Sequence, residues 1–333
     1  MKEAFIKIGD YIESTPDRVR DIFHGLIKEC KIIRKKVKNL PQTNYDLGIY
    51  HIDRCNMSDA KMRFFFVTKL DPKMALAYYH LARCHLFNLE YNKAKECLEH
   101  ALTLDKNLKE ARYRLQQINH NVLLEPIPLQ VIEEDFDNLA NKYEDYIQNH
   151  LLYTAPEILA NILKPHVQGV DDLWALDIGC GTGIAGYYLK QNVAIKALHG
   201  IDISQRMLAL SKELVLDDKH VYNLVEKEDF YNLTKINDKF DIVIACMSLC
   251  YSNNLSKIFV ELDRVSTKNA IFGLVLLKSK KEDIIFDYKN GCFGFSLSYL
   301  KGIFDKHQLK ILEQAEIELF SNGSKGFIFI LKR

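Results

Sequence analysis

Apolar and small residues between positions 41 and 108 repeat at a fixed interval of 34: segment 41–74 overlays segment 75–108. In that register Leu47-Gly48 matches Leu81-Ala82, His51 matches His85, Ala60 matches Ala94, Phe64 matches Leu98 and Val67 matches Ala101, while Pro72 falls where one copy ends. The spacing predicts two helices per copy, with small residues where helices cross closely and large apolar ones filling the gaps between neighbours. Two copies are too few to be stable alone, so capping helices are expected on both sides. Candidates are an amphipathic basic segment over 17–38 and another over 108–122. Glu125-Pro126-Ile127-Pro128 then stops helix formation, because neither proline donates a backbone hydrogen bond. The predicted organisation is an all-α repeat domain over 1–125, a linker over 126–131 and a second domain over 132–333.

From residue 132 the pattern changes to helical stretches alternating with short apolar runs, the mark of a doubly wound α/β sheet. Predicted strands are 173–178, 197–201, 220–225, 240–246 and 270–277, with a final antiparallel pair around 309–319 and 326–331, seven in all. Charge changes this picture little. The chain of 333 residues has a formal charge of +1, but residues 1–130 hold 22 Lys+Arg against 16 Asp+Glu and the remainder 23 against 28. A mildly basic front half favours an acidic partner, and the acidic remainder argues against nucleic acid. Eight cysteines show no paired spacing and no cysteine-histidine cluster, so no metal site is expected and the thiols read as free, in a cytoplasmic setting. The longest apolar run, 270–277, is far short of the ~20 residues of a membrane helix, and the first ten residues lack a signal-peptide core.

The sharpest chemical signal is Leu176-Asp177-Ile178-Gly179-Cys180-Gly181-Thr182-Gly183, placed after a predicted strand and opening a helix. Glycines there turn the chain tightly and let a nucleoside-type ligand press against bare amides. Gly181-x-Gly183-x-x-Gly186 also satisfies a dinucleotide fingerprint, so the loop alone does not choose the ligand. Asp177 would repel a pyrophosphate but attract a cationic ligand. Asp202, ending the next predicted strand in His199-Gly200-Ile201-Asp202-Ile203-Ser204, is placed to accept from ribose hydroxyls in either ligand class.

Together these stretches resemble the first two motifs of class I S-adenosylmethionine (SAM) dependent methyltransferases, over about residues 134–333. The resemblance implies a Rossmann-like, seven-stranded doubly wound sheet with SAM as cofactor. By matching position it assigns the methionyl part to Gly179, Cys180, Gly181 and Gly183 with Asp177 nearby, the ribose to Asp202, and the adenine pocket to Ile203 and Met207. Glu228-Asp229-Phe230 resembles the motif that meets adenine, with Asp229 on its amino group and Phe230 against the ring. Phe240 to Met247 resembles the fourth-strand motif facing the methyl, which brings Ala245 and Cys246 to the site. Phe136-Asp137-x-x-Ala140-x-x-Tyr143-Glu144, then Leu152-Tyr153-x-x-Pro156, is similar to the leading helix of methyltransferases that carry N-terminal tetratricopeptide repeats, with Tyr143 as cofactor cover. The 34-residue copies resemble that repeat. The chain departs from this subgroup at Met247, where the subgroup has an acid.

A sulfonium is already an activated leaving group, so in-line placement and exclusion of water suffice and no catalytic dyad is required. Tyr251 follows the strand that should face the methyl and is the residue expected beside the acceptor. His199 and His220 lie near other strand ends, and no base is named. Cys246 and Cys250 read as buried thiols acting as small hydrophobes. The resulting expectation is methyl transfer to a small-molecule or protein acceptor, with the repeats binding a protein partner. A SAM-fold scaffold and a nicotinamide-dependent oxidoreductase are the competing readings, and the acceptor itself is not fixed by fold.

Overall fold

A computed structural model describes residues 39–54, 56–119, 126–279 and 281–333. They divide into two compact units, one ending at Ile118 and the other beginning at Asn119. The basic segment predicted over 17–38 lies outside the described residues, as do residues 120–125.

In the first unit residues 39–53 (α1), Met57–Leu70 (α2), Ala75–Phe87 (α3), Tyr91–Leu104 (α4) and Lys109–Ile118 (α5) are helical. The 34-residue shift carries α2 onto α4 residue for residue, and equivalent positions are equally buried: Ala60 and Ala94, Phe64 and Leu98, Val67 and Ala101 are all fully enclosed. Gly48 is where α1 crosses α2, since a Cβ there would stand 2.6 Å from the Phe64 ring. Helix α3 serves two small cores at once, Leu81 and Cys84 on one side and Tyr79 and Ala82 on the other. His80 is one of the polar groups buried in this unit. Its Nε2 lies 3.0 Å from the Tyr45 hydroxyl and its Nδ1 3.1 Å from Arg83, and the ring stacks on Phe64. Burial lowers its pKa to about 3, so the ring is neutral. Phe65 and Phe66, beside buried Phe64, are about half exposed.

The second unit opens with Leu129–Leu139 (α6), which starts inside the stretch predicted as linker; Pro128 caps it and Val131 and Ile132 are buried. Short irregular turns over 140–150 lead to Ala155–Val167 (α7). The sheet elements follow: Leu173–Ile178 (β1), Ile184–Asn192 (α8), Ile195–Asp202 (β2), Gln205–Glu213 (α9), a hairpin of Val215–Leu216 (β3) and Lys219–His220 (β4), and Leu224–Lys227 (β5). Next come Phe240–Cys246 (β6), Leu255–Val265 (α10), Ser266–Leu277 (β7), a ribbon of Ile285–Asp287 (β8) and Cys292–Gly294 (β9), Leu297–Lys306 (α11), Lys310–Phe320 (β10) and Ser324–Lys332 (β11).

The seven-stranded sheet has the order β10-β11-β7-β6-β1-β2-β5, with β11 antiparallel to both its neighbours and the other pairs parallel. Alternation along β7 shows that helices cover both faces. A Cβ on Gly273 would meet Leu163 and Leu159 of α7, while Phe272 beside it packs on Phe259 of α10. Central strands β7 and β11 are buried on both faces and read as unbroken apolar runs, whereas edge strand β10 alternates and carries Glu313, Glu316 and Glu318 outward. One strand differs from expectation. The third parallel strand is Leu224–Lys227 rather than 220–225, because Val221 and Tyr222 turn inward and fill the space beneath the glycine loop. The chain runs β1, β2, β5 toward one edge and returns to β6 on the other side of β1, which creates a switch point at the carboxyl end of β1.

Candidate active site

A cavity opens at that switch point. Its floor is the β1 turn and the tips of β2, β5 and β6, with Gly179, Gly181, Asp202, Ile203, Asp229, Phe230 and Cys246 in the lining. Gly181 is the position that most resembles a ligand cradle. Its φ is +56°, in the left-handed region, and a Cβ added there would enter open space with no atom within 4 Å. The Gly181 amide donates to Asp202 Oδ2 at 2.9 Å, and the other Asp202 oxygen accepts from the Ser204 amide at 2.8 Å. The carboxylate is therefore held rigidly at the cavity wall by two backbone amides. Burial raises its pKa to about 6. Asp229 accepts from the Tyr231 amide at 2.9 Å and is also shifted upward by burial.

The leading helix α6 is tied to this floor through Asp137, besides the ion pair of Glu133 with Lys227 at the end of β5. Asp137 Oδ1 accepts from the Ser204 hydroxyl at 2.5 Å and from the Arg206 amide at 3.3 Å, and Ser204 in turn caps α9 through the Met207 amide. That anchor sets Phe136 over the cavity, edge-on to Tyr251 (5.1 Å between ring centres) and to Tyr143 (6.2 Å). Tyr143 and Tyr251 thus both reach the lining, as the sequence suggests, and burial pushes both phenols upward so that they stay protonated. Cys246 also lines the cavity instead of sitting in the core, with its thiol 3.2 Å from the Tyr153 hydroxyl.

Several sequence-assigned residues lie elsewhere. Asp177 is fully buried behind the glycine loop, where its Oδ2 accepts from the Tyr222 hydroxyl at 2.7 Å and burial raises its pKa to about 7. It faces the interior, so it offers no charge to a cofactor. Gly183 does not line the cavity either: a Cβ there would strike Tyr222 at 2.8 Å. The same ring lies 2.5 Å from a Cβ on Gly186 and 2.8 Å from one on Gly200. Gly183 and Gly186, two of the three glycines that mimic a dinucleotide fingerprint, are small because Tyr222 occupies the space. Cys180 is buried with its sulfur turned toward Gly200 and Ser211, Met207 points from α9 into the core, and Ala245 is enclosed within β6 beside Leu274. Helical phase turns Met207 inward and strand alternation turns Ala245 inward. His199 is buried between Trp174 and Phe240, and His220 is exposed on the β3–β4 hairpin; neither reaches the cavity.

Other lining residues carry no assignment from sequence. Tyr153 follows the leading helix and Ser248 follows β6, where its hydroxyl donates to the Ile178 carbonyl. Lys289, Asn290 and Cys292 come from the β8–β9 ribbon, and Phe320 and Asn322 from the β10–β11 turn. The Asn290-Gly291 pair between short apolar runs was a hairpin signal that would have revealed the ribbon. Among the described residues no group of acidic, cysteine or histidine side chains is placed to hold a metal, and no helix is long and apolar enough to cross a membrane.

Residues 176–274 match a protein-family model described as a methyltransferase domain. No curated protein sequence matches the chain. Among solved structures, the 1,6-didemethyltoxoflavin N1-methyltransferase of Burkholderia thailandensis, with bound 1,6-didemethyltoxoflavin and S-adenosylhomocysteine, aligns over 64% of this chain and 93% of its own at 12% identity and a TM-score of 0.50. The magnesium protoporphyrin IX methyltransferase of Synechocystis PCC 6803, with bound SAM, aligns over 60% and 83% at 16% identity and a TM-score of 0.42. An S-adenosylmethionine-dependent methyltransferase of Clostridium acetobutylicum ATCC 824 aligns over 60% and 98% at 17% identity and a TM-score of 0.42. The sheet is of the Rossmann-like methyltransferase type. The stretch matched to a methyltransferase domain runs from β1 into β7.

Proposed function

We propose that the protein transfers the methyl group of SAM to a small-molecule or protein acceptor held in the cavity beyond Cys246, and that the repeat unit is a tetratricopeptide-like module that recruits a partner. The observation that carries the first part is the Asp202 carboxylate, fixed by the Gly181 and Ser204 amides beside the open cradle at Gly181. In this reading Gly179 and Gly181 back the methionyl chain, Asp202 accepts from the ribose hydroxyls, and Ile203, Asp229 and Phe230 receive the adenine. The cofactor supplies the activated methyl. The chain's part is to orient it, to exclude water under Phe136, Tyr143 and Tyr251, and to place the acceptor near Cys246. The 34-residue equivalence of α2 and α4 supports the recruitment role, as do the exposed rings of Phe65 and Phe66 on α2.

Calorimetric titration of the full chain with S-adenosylhomocysteine and, separately, with NAD tests the cofactor assignment. One-to-one binding of S-adenosylhomocysteine alone is expected, with loss of binding in Asp202→Ala. Binding of NAD alone would overturn the reading, and unaltered affinity in Asp202→Ala would overturn the ribose role.

A further inference from the structure

The two ends of the cavity differ in kind. Among the described residues its carboxylates are Asp202, Glu228 and Asp229, all at the tips of β2 and β5, and no imidazole lines it. Each acid is already engaged: Asp202 by two amides, Asp229 by the Tyr231 amide, and Glu228 by Lys235 at 3.2 Å. Across β1, toward β6 and the β8–β9 ribbon, the polar groups include the hydroxyls of Tyr146, Tyr153, Ser248 and Tyr251, the thiols of Cys246 and Cys292, the amides of Asn290 and Asn322, and the ammonium of Lys289. Burial holds the phenols of Tyr153 and Tyr251 and both thiols protonated. They donate hydrogen bonds and do not take protons. Lys289 donates to the Asn322 carbonyl and makes no ion pair with a carboxylate among the described residues.

This end of the site therefore selects among acceptors by charge. An alcohol must lose a proton during methyl transfer, and among the described residues no carboxylate or imidazole lines this end to receive one. An ammonium must lose a proton too, and it would also stand as a second cation beside a sulfonium within an apolar wall. A carboxylate needs neither help. It arrives ionised, its charge complements the sulfonium, and the surrounding O–H, S–H and ammonium donors match its lone pairs. Resting on the methyltransferase reading above, we infer that the acceptor is a carboxylate on an apolar, ring-sized body, bound among Tyr146, Ile147, Leu151 and Phe320 and converted to its methyl ester. A carboxylate oxygen attacks the methyl carbon, the carbon–sulfur bond breaks with its electron pair going to sulfur, and the products are the ester and S-adenosylhomocysteine. No proton moves.

The test uses the full chain, SAM labelled in the methyl group, and three probes that share one ring system: indoleacetate, tryptamine and tryptophol. S-adenosylhomocysteine binding is measured calorimetrically alongside. Label is expected in indoleacetate as a base-labile ester, formed at least ~10-fold faster than product from either other probe. The rate is expected to be flat above the carboxylate pKa. Lys289→Gln should raise KM for indoleacetate about fivefold at unchanged kcat, and Lys289→Arg should restore it. Base-stable label in tryptamine or tryptophol in preference to indoleacetate overturns the inference. So does failure to label any probe while S-adenosylhomocysteine binds, an outcome that leaves the cofactor assignment standing. Failure of S-adenosylhomocysteine to bind would instead overturn the reading on which the inference rests.

Discussion

Replacing Tyr222 with phenylalanine removes one hydroxyl from the point on which the glycine loop rests. The ring keeps its place, because Gly183, Gly186 and Gly200 leave room for it and would admit nothing larger than hydrogen. What changes is Asp177, a fully buried acid whose Oδ1 has no hydrogen-bond partner and whose Oδ2 is held by the Tyr222 hydroxyl. That hydroxyl also lies 3.3 Å from the Gly183 carbonyl. Stranding a buried acid costs about 2 kcal/mol, which for a unit of this size lowers Tm by roughly 4–8 °C. The effect has a definite pH sign. The folded pKa of Asp177 is raised to about 7 from 3.8, so the folded state holds the proton more tightly and stability falls as pH rises through that window. The Tyr222 bond opposes that rise; without it the folded pKa climbs further and the penalty grows at alkaline pH. Thermal unfolding of wild type and Tyr222→Phe at pH 5.5 and pH 8 should therefore show a larger difference at pH 8. Equal differences at both pH values, or a larger one at pH 5.5, would refute the assignment of Tyr222 as partner to this acid.

Other outcomes follow from the same structure. His80 has a folded pKa lowered to about 3 from 6.5, so its contribution is complete above pH 6.5 and is lost as pH falls toward 3, to the extent of a few kcal/mol. Acid titration of unfolding should show this slope in wild type and a reduced slope in His80→Phe. Asp202 titrates near pH 6 in the free protein, and a ligand that draws on its ionised form should bind about tenfold more weakly at pH 5 than at pH 7. Calorimetry with S-adenosylhomocysteine across that range checks this, and Asp202→Asn should bind more weakly with the dependence removed.

Much of the sheet was legible because its central strands are buried on both faces and must be written as unbroken apolar runs; β1, β6 and the core of β7 fall where those runs lie. The third parallel strand was misplaced for the same reason. Val221 and Tyr222 are apolar and buried, yet they plug a loop rather than pair in the sheet. In the site, residues that line the cavity through backbone or through the strand tip, such as Gly181 and Asp202, were readable from their pattern. Asp177 was not, since a sequence does not say on which side of a turn a carboxylate emerges, and its partner Tyr222 lies 45 residues away. The acceptor end was largely hidden as well. Lys289, Asn290, Phe320 and Asn322 come from a short ribbon and a turn whose proximity to β6 is a product of topology alone.

A crystal of the full chain grown with S-adenosylhomocysteine tests the central claim most directly. The account predicts ligand density across the tips of β1, β2 and β5, with the ribose hydroxyls on Asp202, the adenine between Ile203 and Phe230, and the sulfur directed toward Cys246. Ligand bound elsewhere on the chain, or with its ribose away from Asp202, would contradict it.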